Sequence, residues 1–101
     1  MKGIARVSEH SFDLSSDSFS LSLPKGSMFL FFQMKGTVPQ IFFQEGAGSE
    51  VEIRNYIIVS TSRLISKDLI VSRCGIEKAQ AKWVFSYFDK FGNQKHVFEV
   101  V

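Results

Sequence analysis

The sequence predicts an all-β fold: a small β-sandwich or compact barrel of about seven to eight short, mainly antiparallel strands, with at most one short helix near 76–82. Three observations carry this expectation. Apolar and serine residues alternate from Ser18 to Leu23, which is the period of a half-buried strand and not of a helix. Turn residues recur at short intervals, at Pro24-Lys25-Gly26, around Gly36 and Pro39, across Gly46 to Ser49, and across Asp89 to Asn93. The chain also holds eleven Phe, one Trp and two Tyr in 101 residues. Each buried ring removes roughly 150–250 Å² from water, so ten or so rings supply most of a small core. That length fits one domain, residues 1–101, without room for a second core.

The elements are expected in this order. Ser11-Phe12-Asp13-Leu14-Ser15 recurs as Ser18-Phe19-Ser20-Leu21-Ser22. On a helix Phe12 and Leu14 fall on nearly opposite sides, whereas on a strand they share a face. Phe19, Leu21 and Leu23 continue that apolar face, serines form the wet one, and Asp17 marks a turn or bulge between the two units. Met28 to Met34 is apolar on both faces, as a central strand or a strand covered on both sides is. Ile41 to Gln44 is another strand, with Pro39 at its start because proline donates nothing to a ladder. Val51 and Ile53 alternate with Glu52 and Arg54, and Asn55 bends the chain before a buried Tyr56-Ile57-Ile58-Val59-Ser60. Leu64-Ile65 and Leu69-Ile70-Val71 are expected as two short strands around Ser66-Lys67-Asp68, in preference to a helix within 62–70. The helix window is 76–82, rich in good helix formers.

The last two strands form a hairpin around Asp89 to Asn93. A three-residue loop with Gly92 at positive φ sets Tyr87 opposite Lys95. The alternative register sets Phe85 opposite Phe98, Trp83 opposite Val100 and Tyr87 opposite His96. The second is preferred because it gives one consistently apolar face.

The residues exclude several function classes. A net charge of +2 is weak. Four cations face five anions up to Glu50, and eight face five beyond it, so the second half is mildly basic without the stripe of a dedicated nucleic-acid binder. The single Cys74 has no disulfide partner, which points to a reducing, cytoplasmic location. No apolar run approaches the 20 or so residues of a membrane helix, and the N-terminus lacks a signal-peptide pattern. His10, Cys74 and His96 lie too far apart in sequence to form a metal motif. No Gly-x-Ser-x-Gly elbow appears, and the serines fit the wet faces of strands. Gly46-Ala47-Gly48-Ser49 lacks the lysine of a phosphate loop and has Glu45 and Glu50 beside it.

The aromatic surplus is the feature with functional content. Phe29, Phe31 and Phe42 are expected on the faces opposite Leu30, Phe32 and Phe43. If they are uncovered, they form an apolar patch of the kind that marks a partner surface. The expected function is a non-catalytic protein-binding or assembly module, using a sheet edge or the Phe29/Phe31/Phe42 surface to meet another protein or its own copy. No cofactor, metal or membrane is called for. The alternatives are a small β-barrel of OB type that binds single-stranded nucleic acid through rings flanked by cations, and a small enzyme or a barrel enclosing an apolar ligand.

Overall fold

The structure is a computed structural model that describes residues 6–75, 77 and 80–101. Seven strands and one helix follow in order: β1 (Val7–Ser11), β2 (Ser18–Pro24), β3 (Met28–Lys35), β4 (Val38–Gln44), β5 (Val51–Ser60), α1 (Lys67–Cys74), β6 (Ala81–Phe88) and β7 (Gln94–Val100). They build a three-stranded sheet, β1-β4-β3, and a four-stranded sheet, β2-β5-β7-β6. Every pairing is antiparallel. The expected small all-β sandwich is therefore what the chain forms. It is open and not a closed barrel, with β1, β3, β2 and β6 at the sheet edges.

The core lies where the inner faces meet. Leu21 and Leu23 of β2, Ile41 and Phe43 of β4, Tyr56 and Ile58 of β5, Phe85 and Tyr87 of β6, and Val97 of β7 are all buried together. Alternation along β2 aims Phe19, Leu21 and Leu23 inward, as the sequence predicts, with Ser20 and Ser22 exposed. The rings pack closely: Phe12 stacks on Phe19 and Phe32 on Phe85, each at 4.5 Å between centroids. The hydroxyls of Tyr56 and Tyr87 are buried in this core without a hydrogen-bond partner among the described residues.

From Tyr56 to Val59 strand β5 is buried on both faces because the two sides have different covers. Ile57 and Val59 point away from the sandwich and pack with Leu69 and Ile70 of α1 and with Val100. The expected pair of short strands in 64–71 is thus corrected to a helix. The Ser66 hydroxyl caps it by accepting from the Leu69 amide at 3.2 Å, and Gly75 closes it at φ 69°. Asp68 in the first turn and Arg73 in the last complement the helix dipole. Of the helix expected at 76–82, Ala81 and Lys82 belong to β6, and Ile76, Lys78 and Ala79 lie outside the described residues.

Two further expectations are corrected. Residues 12–17 are not strand but the crossing from one sheet to the other. Phe12 and Leu14 still reach the core, so the repeat marked inward side chains but not a ladder. The hairpin register is Tyr87 opposite Lys95 and Phe85 opposite Val97, with Trp83 opposite Phe98. The turn decides it: Asp89 and Asn93 close the loop, and Gly92 takes φ 81°, the three-residue geometry. Val84 is then the extra residue of a bulge, which lets Phe85 and Tyr87 face the core while Trp83 faces out.

No bend occurs at Asn55, since β5 runs unbroken from Val51 to Ser60. Parity therefore turns Arg54 inward, in line with Tyr56 and Ile58, and leaves Val51 and Ile53 both 63% exposed. The charge is neutralised on the spot. Arg54 donates through Nε and Nη2 to the two carboxylate oxygens of Glu99, each at 2.8 Å, and through Nη1 to the Ser27 carbonyl at 2.5 Å. The guanidinium also lies 5.5 Å from the Phe43 ring centre. This bidentate pair closes one end of the sandwich.

Candidate functional site

Two places on the molecule hold groups that can meet a partner. The first is the outer face of the three-stranded sheet. Its key is a bulge in β3: Phe29 pairs with Phe43 and Phe31 with Phe42, so Leu30 is an extra residue with no partner in the register. An extra residue exchanges the faces of everything beyond it. Phe29 consequently turns inward and packs against Phe43 and Phe85, while Phe31 turns outward. The expected grouping of Phe29 with Phe31 and Phe42 on one face is corrected for Phe29, and the central or doubly covered strand expected at Met28 to Met34 is corrected to an edge strand with Met28, Leu30, Phe31 and Met34 exposed.

Phe31 and Phe42 stack on that outer face at 4.5 Å with planes 13° apart. Phe31 stays 46% exposed, and Met28 and Val7 beside it are 56% and 58% exposed. Leu30 is exposed at the same edge. Gln40 and Gln33 continue the face, and the Gln40 amide donates to the Glu9 carboxylate. The four-stranded sheet has α1 across its outer face. Among the described residues, nothing comparable crosses the outer face of the three-stranded one.

The second place is a cleft of about 810 Å³ at the end of the sandwich opposite the Arg54–Glu99 pair. Three connections meet there: the β1–β2 crossing, the Gly36-Thr37 turn and the β6–β7 hairpin, with Ser60, Arg63 and Arg73 from the β5–α1 side. Its size lies in the range of ligand sites. Phe88 and Phe91 line it at 66% and 76% exposure.

The charges in the cleft are unequally employed. Asp13 accepts from the Ser15 amide and hydroxyl at 2.9 and 2.7 Å. Asp89 accepts from the Phe91 and Asn93 amides, both at 2.9 Å. These bonds, foremost those from the backbone, hold both carboxyls below their ordinary pKa. Asp17 faces Arg73 at 4.0 Å. Arg73 is otherwise spent on the carbonyls of Asp17 and Ile58. Lys95 donates to the neutral Ser60 hydroxyl at 3.1 Å and its charge helps to lower the Asp89 pKa, and Lys90 lies 5.2 Å from the Phe91 ring centre.

The titratable residues singled out in the sequence are not gathered. His10 sits on β1, edge-on to Phe43. Cys74 ends α1, and burial raises its thiol pKa against the opposing pull of Arg73. Among the described residues no group of three or more His, Cys, Asp or Glu is placed to hold a metal ion. His96 makes one hydrogen-bonded chain on the outer face of the four-stranded sheet. Its Nδ1 meets Ser86 Oγ at 2.7 Å and its Nε2 meets Thr61 Oγ1 at 2.8 Å, while Trp83 Nε1 donates to Ser86. A serine nucleophile needs its histidine oriented by an acid. Here a threonine hydroxyl takes that position, and the chain ties the β5–α1 loop to the sheet.

Sequence reasoning did not find the cleft residues Arg63, Phe88, Phe91 and Lys95 as a set. The surplus of cations beyond Glu50 was the available signal. Comparison of the chain with protein-family models, with curated proteins and with solved structures finds no match.

Proposed function

We propose that this chain is a non-catalytic binding and assembly module that meets a protein partner on the outer face of its three-stranded sheet, its own copy being the partner the face fits best. The observation that supports this most is the stacked Phe31–Phe42 pair, set among exposed Met28, Leu30 and Val7 with no covering element among the described residues. Aromatic and methionine side chains at the centre of a patch are the groups that anchor interfaces. A two-fold contact presents the same patch from both sides. Among the described residues this one carries one acid, Glu9, beside Phe42 on the edge strand, and one base, Lys35, at the end of β3, so two copies meet without a surplus of like charge.

Light scattering across about 1 μM to about 1 mM protein, the span of ordinary transient affinities, tests the reading. The mass is expected to rise from monomer to dimer. Phe31→Lys is expected to hold the chain monomeric with its β spectrum intact. A wild-type chain that stays monomeric throughout removes self-association, and a Phe31→Lys chain that dimerises as the wild type does removes this face.

A further inference from the structure

We infer that the loop-end cleft is a second binding site, distinct from the sheet face, and that it takes a short segment of single-stranded nucleic acid. The chemistry that would recognise such a segment is two planar rings and several cations outside ion pairs in one concavity, and among the described residues this cleft has both. Phe88 and Phe91 are among the most exposed large apolar residues of the described chain, and both line it. An exposed ring offers a face on which a base can stack, and every nucleobase has a π-face.

The electrostatics point the same way. Asp13 Oδ1 accepts from Ser15 and Asp89 Oδ1 from Phe91 and Asn93, bonds that fix both carboxylates in their own turns and leave them ionised, and Asp17 faces Arg73 at 4.0 Å. Arg63, Lys90 and Lys95 also line the cleft. None of the three has a carboxylate within ion-pair distance among the described residues. With Arg73 the lining holds four cations against Asp13, Asp17 and Asp89, a surplus of one positive charge, and the carboxylates are tied back to their own turns or to Arg73 while Arg63, Lys90 and Lys95 are left to meet an incoming anion. Two rings and three free cations exceed what one nucleoside monophosphate presents, which favours a strand with successive bases and phosphates. The site is carried by loops and by one end of β6 and β7, not by the strand faces of a closed barrel.

Fluorescence anisotropy of a labelled eight-nucleotide single strand, titrated with the full chain at low salt, tests this. With three phosphates engaged, log K falls with log salt at a slope of about −2, so binding weakens about 20-fold between about 50 and about 200 mM salt. Phe91→Ser, at the exposed tip of the hairpin, is expected to weaken binding roughly 5-fold or more through lost stacking. Lys90→Gln is expected to reduce the salt slope by about 0.7. Phe31→Lys, on the other surface, is expected to bind as the wild type does, which separates this site from the assembly face. Adenosine monophosphate and inorganic phosphate, used as competitors, are expected to displace the strand poorly. No anisotropy change at about 50 mM salt overturns the inference. So does binding indifferent to both cleft variants, or displacement by the mononucleotide or by phosphate as effective as by unlabelled strand.

Discussion

Replacing Glu99 by Gln tests the inverted parity of β5. The carboxylate receives two charge-assisted bonds from Arg54, both at 2.8 Å, with the side chains 16% and 18% exposed. Glutamine keeps one acceptor and turns an NH₂ group toward a guanidinium that can only donate. Arg54 would keep the Ser27 carbonyl and, at 4.0 Å, Glu52. Breaking a fully buried pair costs about 3–5 kcal/mol. The residual exposure and the nearby Glu52 place this site lower, at about 2–3 kcal/mol. For a chain of this size that lowers the melting temperature by roughly 10–20 °C. Urea and thermal denaturation read it directly. The double variant Arg54→Met/Glu99→Leu removes both charges and is expected within about 1 kcal/mol of wild type, since a well-packed apolar pair replaces an ion pair at little cost. A Glu99→Gln chain within about 0.5 kcal/mol of wild type, the range of ordinary surface changes, would refute the inward placement of Arg54.

Two other outcomes follow from the packing. At Gly46 an added Cβ would fall 1.9 Å from the Lys25 carbonyl oxygen, whereas at Gly48 the nearest atom is 4.0 Å away. Gly46→Ala is therefore expected to cost about 1–3 kcal/mol in urea denaturation, and Gly48→Ala almost nothing; equal effects would contradict the close approach of these two loops. Burial raises the phenol pKa of Tyr56 and Tyr87 above the usual 10.0. A raised folded value favours the neutral form, so stability is full below pH 10 and falls as pH climbs toward the folded values. Alkaline titration followed at the phenolate absorbance and by circular dichroism is expected to show both tyrosines ionising only with unfolding. Ionisation of both near pH 10 in the intact fold would contradict their burial.

The legible part of the fold was the part set by local alternation. Phe19, Leu21 and Leu23 declared an inward face because serines stood between them, and the apolar run from Tyr56 to Val59 declared a buried strand. What covered its second side was not legible, because α1 is eight residues held by one serine cap, one glycine cap and its packing on Ile57 and Val59. Helices this short depend on tertiary contact. β1 was missed because Val7-Ser8-Glu9-His10-Ser11 has little apolar signal and is a strand by virtue of β4 beside it.

The bulges at Leu30 and Val84 were invisible for a related reason. A bulge is a mismatch of count between two strands, and one strand read alone does not contain it. This is why the three rings divide: Phe31 and Phe42 lie together outside, and Phe29 lies in the core. The cleft is further from the sequence still. Its residues come from connections tens of positions apart, such as Asp13, Thr37, Arg63 and Phe91, and only the sheet order brings them to one end.

The bulge in β3 assigns one phenylalanine to the core and its neighbour but one to the exposed outer face, and denaturation of Phe29→Ala and Phe31→Ala side by side tests that division most directly. Phe29 packs between Phe43 and Phe85, so its removal is expected to cost about 3 kcal/mol, near the lower end for a large-to-small core change. Phe31→Ala is expected to cost less than about 1 kcal/mol while weakening dimer formation. Equal losses from the two variants, or a larger one from Phe31, would contradict the exchange of faces at Leu30 and the surface built upon it.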